Sequence, residues 1–420
     1  MQGELFQKIS EDLQPERPIR STEKLRGREL EFSEIERELR YFSGIPFIFG
    51  HRGVGKTSLA RTVAQIITPA DRDHIYVACA PNSRMLKIFK EIGESLLKLA
   101  FQLGQIDDIK SKVTLNFSIN PSIRASFEKC IPKLEDFDDA TSAIRILKEL
   151  DDLIPDADKT VIIIDELEEL DKNDRTDLAY LIKQLGDQEF KLKFLLVGIA
   201  ENVHELIGAH ESVPRYIKEV SLKPLIAQYL MDVVSHAASS LDVSISNNIL
   251  YRIAIIGNGF PHFAHLMGKA LLTEAVLNDS NEVTNELYIL GVKRAVSDSI
   301  QELKSSYEAA TLRGEDYFKH MIWALANNDY IDVRTDDWKS HYFELCDKYG
   351  WTRTSDRKFS LAMGNFRKEN YGHILTNTPD KYGSSERRNR YKRFRSTLMR
   401  GHVRLQAEAD GILLGNKGEI

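Results

Sequence analysis

Hydrophobic residues fall in short unbroken runs through the first half of the chain and at helical spacing through the second. The runs are "IPFIFG" (Ile45–Gly50), "HIYVACA" (His74–Ala80), "VIIIDELEEL" (Val161–Leu170) and "FKLKFLLVGIAEN" (Phe190–Asn202). Runs this apolar predict strands buried on both faces. Between them the spacing is helical: Leu59, Val63 and Ile66-Ile67 share one face, Leu30, Ile35 and Leu39 another, and Met85–Leu103 and Ala143–Ile154 read as amphipathic helices. Ser21-Thr22 with Glu23 supplies a capping signal ahead of the Leu30 run. Strands alternating with helices predict an α/β class, a three-layer αβα fold on a parallel sheet.

From about Leu222 the period is helical throughout, broken only at Gly257-Asn258-Gly259. Near Glu302 a further unit opens, with helices at "EDYFKHMIWALAN", "DDWKSHYFELCDKYG" and, capped by Ser355, "SDRKFSLAMGNFRKEN". A strand-turn-strand follows, "HILTNTPDKYGSSERRNRYKRFRST". Three helices and then a hairpin is the order of a winged helix. The expected organisation is a polar leader (1–17), an α/β core (18–222), an all-helical lid (223–301), a C-terminal winged helix (302–408) and a tail (409–420). The core is interrupted at about 104–142 by a segment with no sustained period, read as an insertion.

Chemistry enters where the first strand meets its helix. "FIFGHRGVGKTSLA" carries Gly50-x-x-x-x-Gly55-Lys56-Thr57, the spacing of a phosphate-cradling loop in its required strand–loop–helix setting. The amides of Gly53, Val54 and Gly55 and the helix start at Lys56-Thr57-Ser58 are candidates to hold phosphate. Lys56 would reach the β- and γ-phosphates of ATP, and the Thr57 hydroxyl would ligate Mg²⁺. Turnover needs acids as well. Asp165-Glu166 ends an apolar strand, which makes Asp165 the candidate for the metal shell and Glu166 the candidate base. Glu168 and Glu169 read as the acidic start of a helix.

The order of glycine loop, "IIIDE", "LLVGIA", "HESVPRYIKEVSL" and "GFPHF", followed by a winged helix, resembles the AAA+ ATPases. Within them it looks most like the origin-recognition initiator branch and its bacterial relatives, from about Pro18 to Gln406. "LRGRE" is similar to that family's opening segment, which packs against adenine and brings in Leu25 and Arg26. The resemblance places Arg215 of "ESVPRY" as an arginine finger for a neighbouring subunit, and so implies a homo-oligomer; fingers of this kind are worth about 10³–10⁵ in rate. The alternative is a surface arginine paired with a residue such as Glu219. Two positions depart from the pattern. Glu201 stands at the sensor position, which leaves Asn202 as the sensor candidate. His262 replaces the lid arginine, and either offers phosphate one donor or packs beside Phe260 and Phe263. Both departures point to slow turnover and a switch.

Net charge changes the picture little: at -6, with 42% hydrophobic and 29% charged residues, the chain reads as a globular protein and no nucleic-acid sponge. Its distribution matters more. Arg387, Arg388, Arg390, Lys392, Arg393 and Arg395 crowd the hairpin with Tyr391 and Phe394 interleaved, and Arg357 and Lys358 lie on the preceding helix. Such a cluster suits double-stranded DNA; the alternatives are docking on the rest of this protein or on a partner protein. Cys79, Cys130 and Cys346 form no metal-ligand spacing. With no secretory signal and no run long enough to span a bilayer, the expected location is cytoplasmic, without a membrane partner.

Overall fold

The computed structural model describes residues 2–15, 25–105, 139–200, 213–312, 315–377 and 390–415. They form two compact units. One is built from 25–51 and 55–223, the other from 2–15 and 224–415 together with 52–54.

The first unit is a parallel sheet between two helical layers. Its strands are β1 (Ile45–Gly50), β2 (Ile75–Ala78), β3 (Val161–Asp165), β4 (Lys193–Gly198) and β5 (Ile217–Leu222), in the order β2-β3-β4-β1-β5. Every residue of β3 is buried, as an unbroken apolar run requires when both faces are covered. Helices α2 (Glu29–Tyr41) and α3 (Lys56–Ile67) pack together, α2 on β1 and β5 and α3 on β1, β3 and β4. On the opposite face α4 (Met85–Gln102), α5 (Ala140–Leu153) and α6 (Arg175–Asp187) enclose Phe47, Ile162, Ile164 and Leu196. Asp151 is fully buried, and its carboxylate accepts from the N–H of Lys191 and Leu192 (3.0 and 2.7 Å), which fixes the chain just before β4.

Two features differ from the expectation. β5 was not anticipated: "IKEVSL" buries only Val220 and Leu222, so it lacks an apolar run, yet it pairs with β1 along its whole length. Leu30, expected with Ile35 and Leu39 on the buried face of α2, is 85% exposed. That helix starts at Glu29, and the capping signal at Ser21-Thr22 lies outside the described residues. Most of the insertion, 106–138, lies outside them too.

The second unit begins with α1 (Gln2–Asp12), within the stretch expected as a polar leader. Ile9 and Leu13 are buried, and α1 packs on α7 (Ala227–Ser240) and α9 (Pro261–Leu277). With α8 (Asn247–Gly257) and α10 (Asn285–Asp298) these make an all-helical group. Then come α11 (Gln301–Thr311), α12 (Tyr317–Ala326), β6 (Val333–Arg334), α13 (Thr335–Tyr349), α14 (Asp356–Asn365), β7 (Leu375–Asn377), β8 (Tyr391–Phe394) and α15 (Met399–Ala409). Ser355 caps α14, accepting from the Lys358 N–H. The expected strand pair β7–β8 is antiparallel, and β6 adds a third strand on the free side of β8.

α15 packs on α8, α10 and α12, and a buried charge pair sits in that contact. Arg252 donates to both Glu408 carboxylate oxygens and to the Leu414 carbonyl (2.7 Å), while the Tyr288 phenol donates to Glu408 Oε1 (2.7 Å). Removing one partner of such a pair strands the other charge. Glu408→Ala should therefore lower the stability of this unit by about 3–5 kcal/mol. Trp323, Trp338 and Trp351, the three tryptophans of the chain, all report on it by fluorescence in urea. The double change Arg252→Met with Glu408→Leu should recover most of the loss, and an unshifted midpoint for Glu408→Ala would mean the pair contributes nothing.

Candidate active site

Two left-handed glycines shape the loop between β1 and α3. Gly53 has φ 86° and Gly55, which caps α3, has φ 96°, a region open to glycine at little cost. Gly50 ends β1, Val54 is buried, and Thr57 and Ser58 sit half-buried in the first turn of α3. Lys56 is buried as well. Its ammonium donates to the carbonyls of Gly50 (3.1 Å) and His51 (2.9 Å), so the lysine bridges the loop it belongs to.

At the carboxyl end of β3 stands Asp165, 2% exposed. Its Oδ2 accepts from the Thr57 hydroxyl (2.7 Å) and from the Tyr76 phenol (3.1 Å), and its Oδ1 accepts from the Glu166 N–H (2.8 Å). The two metal candidates, Thr57 and Asp165, are thus brought into direct contact although 108 residues separate them. Glu166 is exposed and left-handed at φ 57°, ψ 40°, a conformation that costs a non-glycine residue about 1–3 kcal/mol and gathers at functional sites. A hydroxyl on a buried carboxylate gives a hard cation oxygen ligands. An ammonium and a glycine-bent helix start give donors to phosphate oxygens. The residues present therefore fit a magnesium-bound polyphosphate.

Three contributors were not singled out in the sequence. Tyr76 is the second donor on Asp165; burial first and then the Asp165 charge push its phenol up to about 12, so it remains a donor. Glu168, read as an ordinary acidic helix start, accepts the N–H of Ile199 at 2.7 Å and ties the turn after β3 to the end of β4. Arg28, in "LRGRE", is buried and donates to the Lys223 carbonyl at 2.6 Å; burial lowers its guanidinium pKa, and Glu31 opposes that. An arginine directly before an acidic first turn was its only signal. In the same segment Leu25 is buried and Arg26 half-buried. Cys79 is no nucleophile, because burial and the neighbouring carboxylates push its thiol up to about 12.

Arg215 is exposed and pairs with Asp187 (3.7 Å) rather than Glu219. Its guanidinium lies 4.5 Å from the Tyr216 ring centroid and donates to the Tyr216 hydroxyl, which itself donates to Asp187. Gly186 makes room for this arrangement, since a Cβ there would stand 2.3 Å from the Tyr216 ring. His262 is half-buried, its Nδ1 3.1 Å from the Pro15 carbonyl and its ring edge-on to Phe263 at 5.2 Å. Asn202 and Glu201 lie outside the described residues, as do Arg387 and Arg388.

The remaining basic candidates separate into two sets. Lys392 is 3% exposed, and Arg393 forms a two-point bridge to Asp332 (2.6 and 2.8 Å). Neither side chain is freely displayed, which corrects their expected place on a DNA-facing surface: Lys392 lies on the buried face of β8 with Phe394, and Arg393, on the other face, is tied down by Asp332. Arg400 and Arg404 are buried too, donating to carbonyls in 326–331. Arg357, Arg390 and Arg395 are exposed, and Lys358, also exposed, pairs with Glu315 at 2.9 Å.

Residues 24–197 match the family model described as AAA ATPase domain. Among solved structures, the Walker-type ATPase PABY2304 of Pyrococcus abyssi is similar at TM-score 0.54 and 16% identity, over 93% of this chain and 99% of that one. Cdc6p from Pyrobaculum aerophilum (TM-score 0.44, 16% identity, 91% and 94%) and the Aeropyrum pernix ORC1 protein in complex with DNA (0.43, 14%, 92% and 93%) are also similar. At 16% identity the first shows a shared fold and nothing finer, and the two below 0.5 add nothing to it. No curated protein matches. The five-stranded parallel sheet, its loop between β1 and α3 and the family match together identify residues 24–197 as an AAA+ ATPase domain on the P-loop NTPase fold.

Proposed function

We propose that this protein is a magnesium-dependent ATPase of the initiator-like AAA+ branch that works as a slow switch. The observation carrying the proposal is the convergence of Lys56, Thr57 and Asp165 beside a left-handed Glu166. Bound Mg²⁺ would neutralise charge on the β- and γ-phosphates of ATP. Lys56 would exchange the loop carbonyls for phosphate oxygens, and Thr57 and Asp165 would hold the cation. Glu166 would take the proton of the attacking water, with Asn202 orienting that water. Leu25 and Arg26 would line the base side, as the family resemblance implies. Arg215 would complete a neighbour's site in a homo-oligomer, and to do so it must leave Asp187.

The purified protein should release phosphate from ATP only with Mg²⁺, and Lys56→Ala should lose nucleotide binding. Glu166→Gln should bind ATP and hold it unhydrolysed, with turnover down by roughly 10²-fold or more. Mg²⁺-independent release, or full turnover in Glu166→Gln, would remove the reading.

The C-terminal unit is read as a winged helix that engages double-stranded DNA, a proposal supported by the exposed Arg357 on α14 and the exposed Arg390 and Arg395 that flank β8. A second reading has a specific observation behind it: Lys392, Arg393 and Lys358 are already engaged within the unit, which thins the basic surface and favours a partner protein instead. Reversing the charge of Arg357, Arg390 and Arg395 together should weaken DNA binding steeply, and neutralising them singly should flatten its salt dependence by about one unit of slope per lost phosphate contact. Unchanged DNA affinity in the charge-reversed variant would favour the partner protein.

A further inference from the structure

Tyr76 stands two residues before Ala78, the register partner of Asp165 across the parallel β2–β3 pair. Strand alternation therefore puts the Tyr76 and Asp165 side chains on one face of the sheet. On α3, which packs on β3, Thr57 and Arg61 are four residues apart and share one face. The two pairs meet as a square. Thr57 donates to Asp165 Oδ2 at 2.7 Å, Tyr76 donates to the same oxygen at 3.1 Å, and the Arg61 guanidinium lies 3.7 Å from the centroid of the Tyr76 ring.

We propose that Tyr76 is a positioning residue for the divalent cation that accompanies nucleotide, acting through Asp165 and the Thr57 hydroxyl. The proposal rests on the nucleotide-site reading above. A carboxylate turns easily about its last torsion, so its orientation has to be imposed by hydrogen bonds. Here Oδ2 accepts two donors and Oδ1 accepts the Glu166 N–H, which holds the group from both sides. With Asp165 fixed, the Thr57 hydrogen is committed to Oδ2 and its oxygen lone pairs are left for a cation. Without the phenol, Oδ2 keeps a single donor, the carboxylate gains freedom, and the Thr57 lone pair is no longer aimed. The cation over the ring adds to the same effect: it draws on the π face, strengthens the phenol as a donor, and holds the ring against α3.

Tyr76→Phe removes one oxygen and keeps the ring, so it separates positioning from packing. A fluorescent ATP analogue is bound to the full chain first in EDTA and then across a magnesium titration, with no turnover measured. In EDTA the variant should match the wild type. The magnesium concentration for half-enhancement should rise roughly tenfold, the scale of one lost hydrogen bond to a charged group. Arg61→Gln should shift it in the same direction by about two- to fivefold. An unchanged magnesium requirement in Tyr76→Phe, with the wild type responding normally, would overturn the proposal while leaving the nucleotide site intact. Equal loss of affinity in EDTA would also overturn it, because the role would then be structural. A wild type that shows no magnesium enhancement would defeat the nucleotide-site reading and this proposal with it.

Discussion

The hydrogen bond from Thr57 to Asp165 is the contact on which the site depends. It joins the first turn of α3 to the last residue of β3, and so makes one object of a loop and an acid 108 residues apart. Each end is held by ordinary folding forces. β3 is paired in register with β2 and β4 and buried on both faces, and Asp165 is its last residue, so a one-residue slip would turn the carboxylate away from α3. α3 is held by Leu59, Ala60 and Val63, fully buried in the same layer, and its start is fixed by the left-handed Gly55. Hydrophobic burial thus sets the position of a polar contact to within a hydrogen bond.

Charge in the C-terminal unit follows a different logic. Its sequence is crowded with arginine and lysine, yet several of those groups act inside the fold. Arg404 and Arg400 satisfy backbone carbonyls that end α12 and enter β6, Arg393 is clamped by Asp332, and Arg252 meets Glu408 in the contact between α8 and α15. A guanidinium offers five donors in a fixed fork, which suits it to gathering loop carbonyls where no lysine would do. Among the described candidates, Arg357, Arg390 and Arg395 are the exposed ones left for a phosphate backbone, a narrower set than the count of basic residues implies.

The sheet and its glycine loop were legible because apolar runs and left-handed glycines are local signals, and β1 matches its expected bounds. β5 was not legible: an edge strand with two buried residues carries almost no pattern, and its pairing with β1 is a tertiary fact. The α1 helix was hidden for a related reason, since its Ile9 and Leu13 find their partners on α7 and α9. At the site, Lys56, Thr57, Asp165 and Glu166 followed from motif chemistry. Tyr76 did not, because a tyrosine in "HIYVACA" reads as a strand former until the β2–β3 register brings it to Asp165. Lys392 and Arg393 misled for the opposite reason: within a basic run nothing local marks that Lys392 takes the buried face of the strand or that Arg393, on the other face, meets Asp332.

The central claim is that the Lys56, Thr57 and Asp165 group is a preformed nucleotide–magnesium site. The most direct measurement is a crystal structure of the full chain with a non-hydrolysable ATP analogue and Mg²⁺. The account predicts Lys56 Nζ on a phosphate oxygen, and Thr57 ligating the metal while still donating to Asp165. A nucleotide seated with Lys56 still bound only to the Gly50 and His51 carbonyls, or a metal held without Thr57, would contradict it.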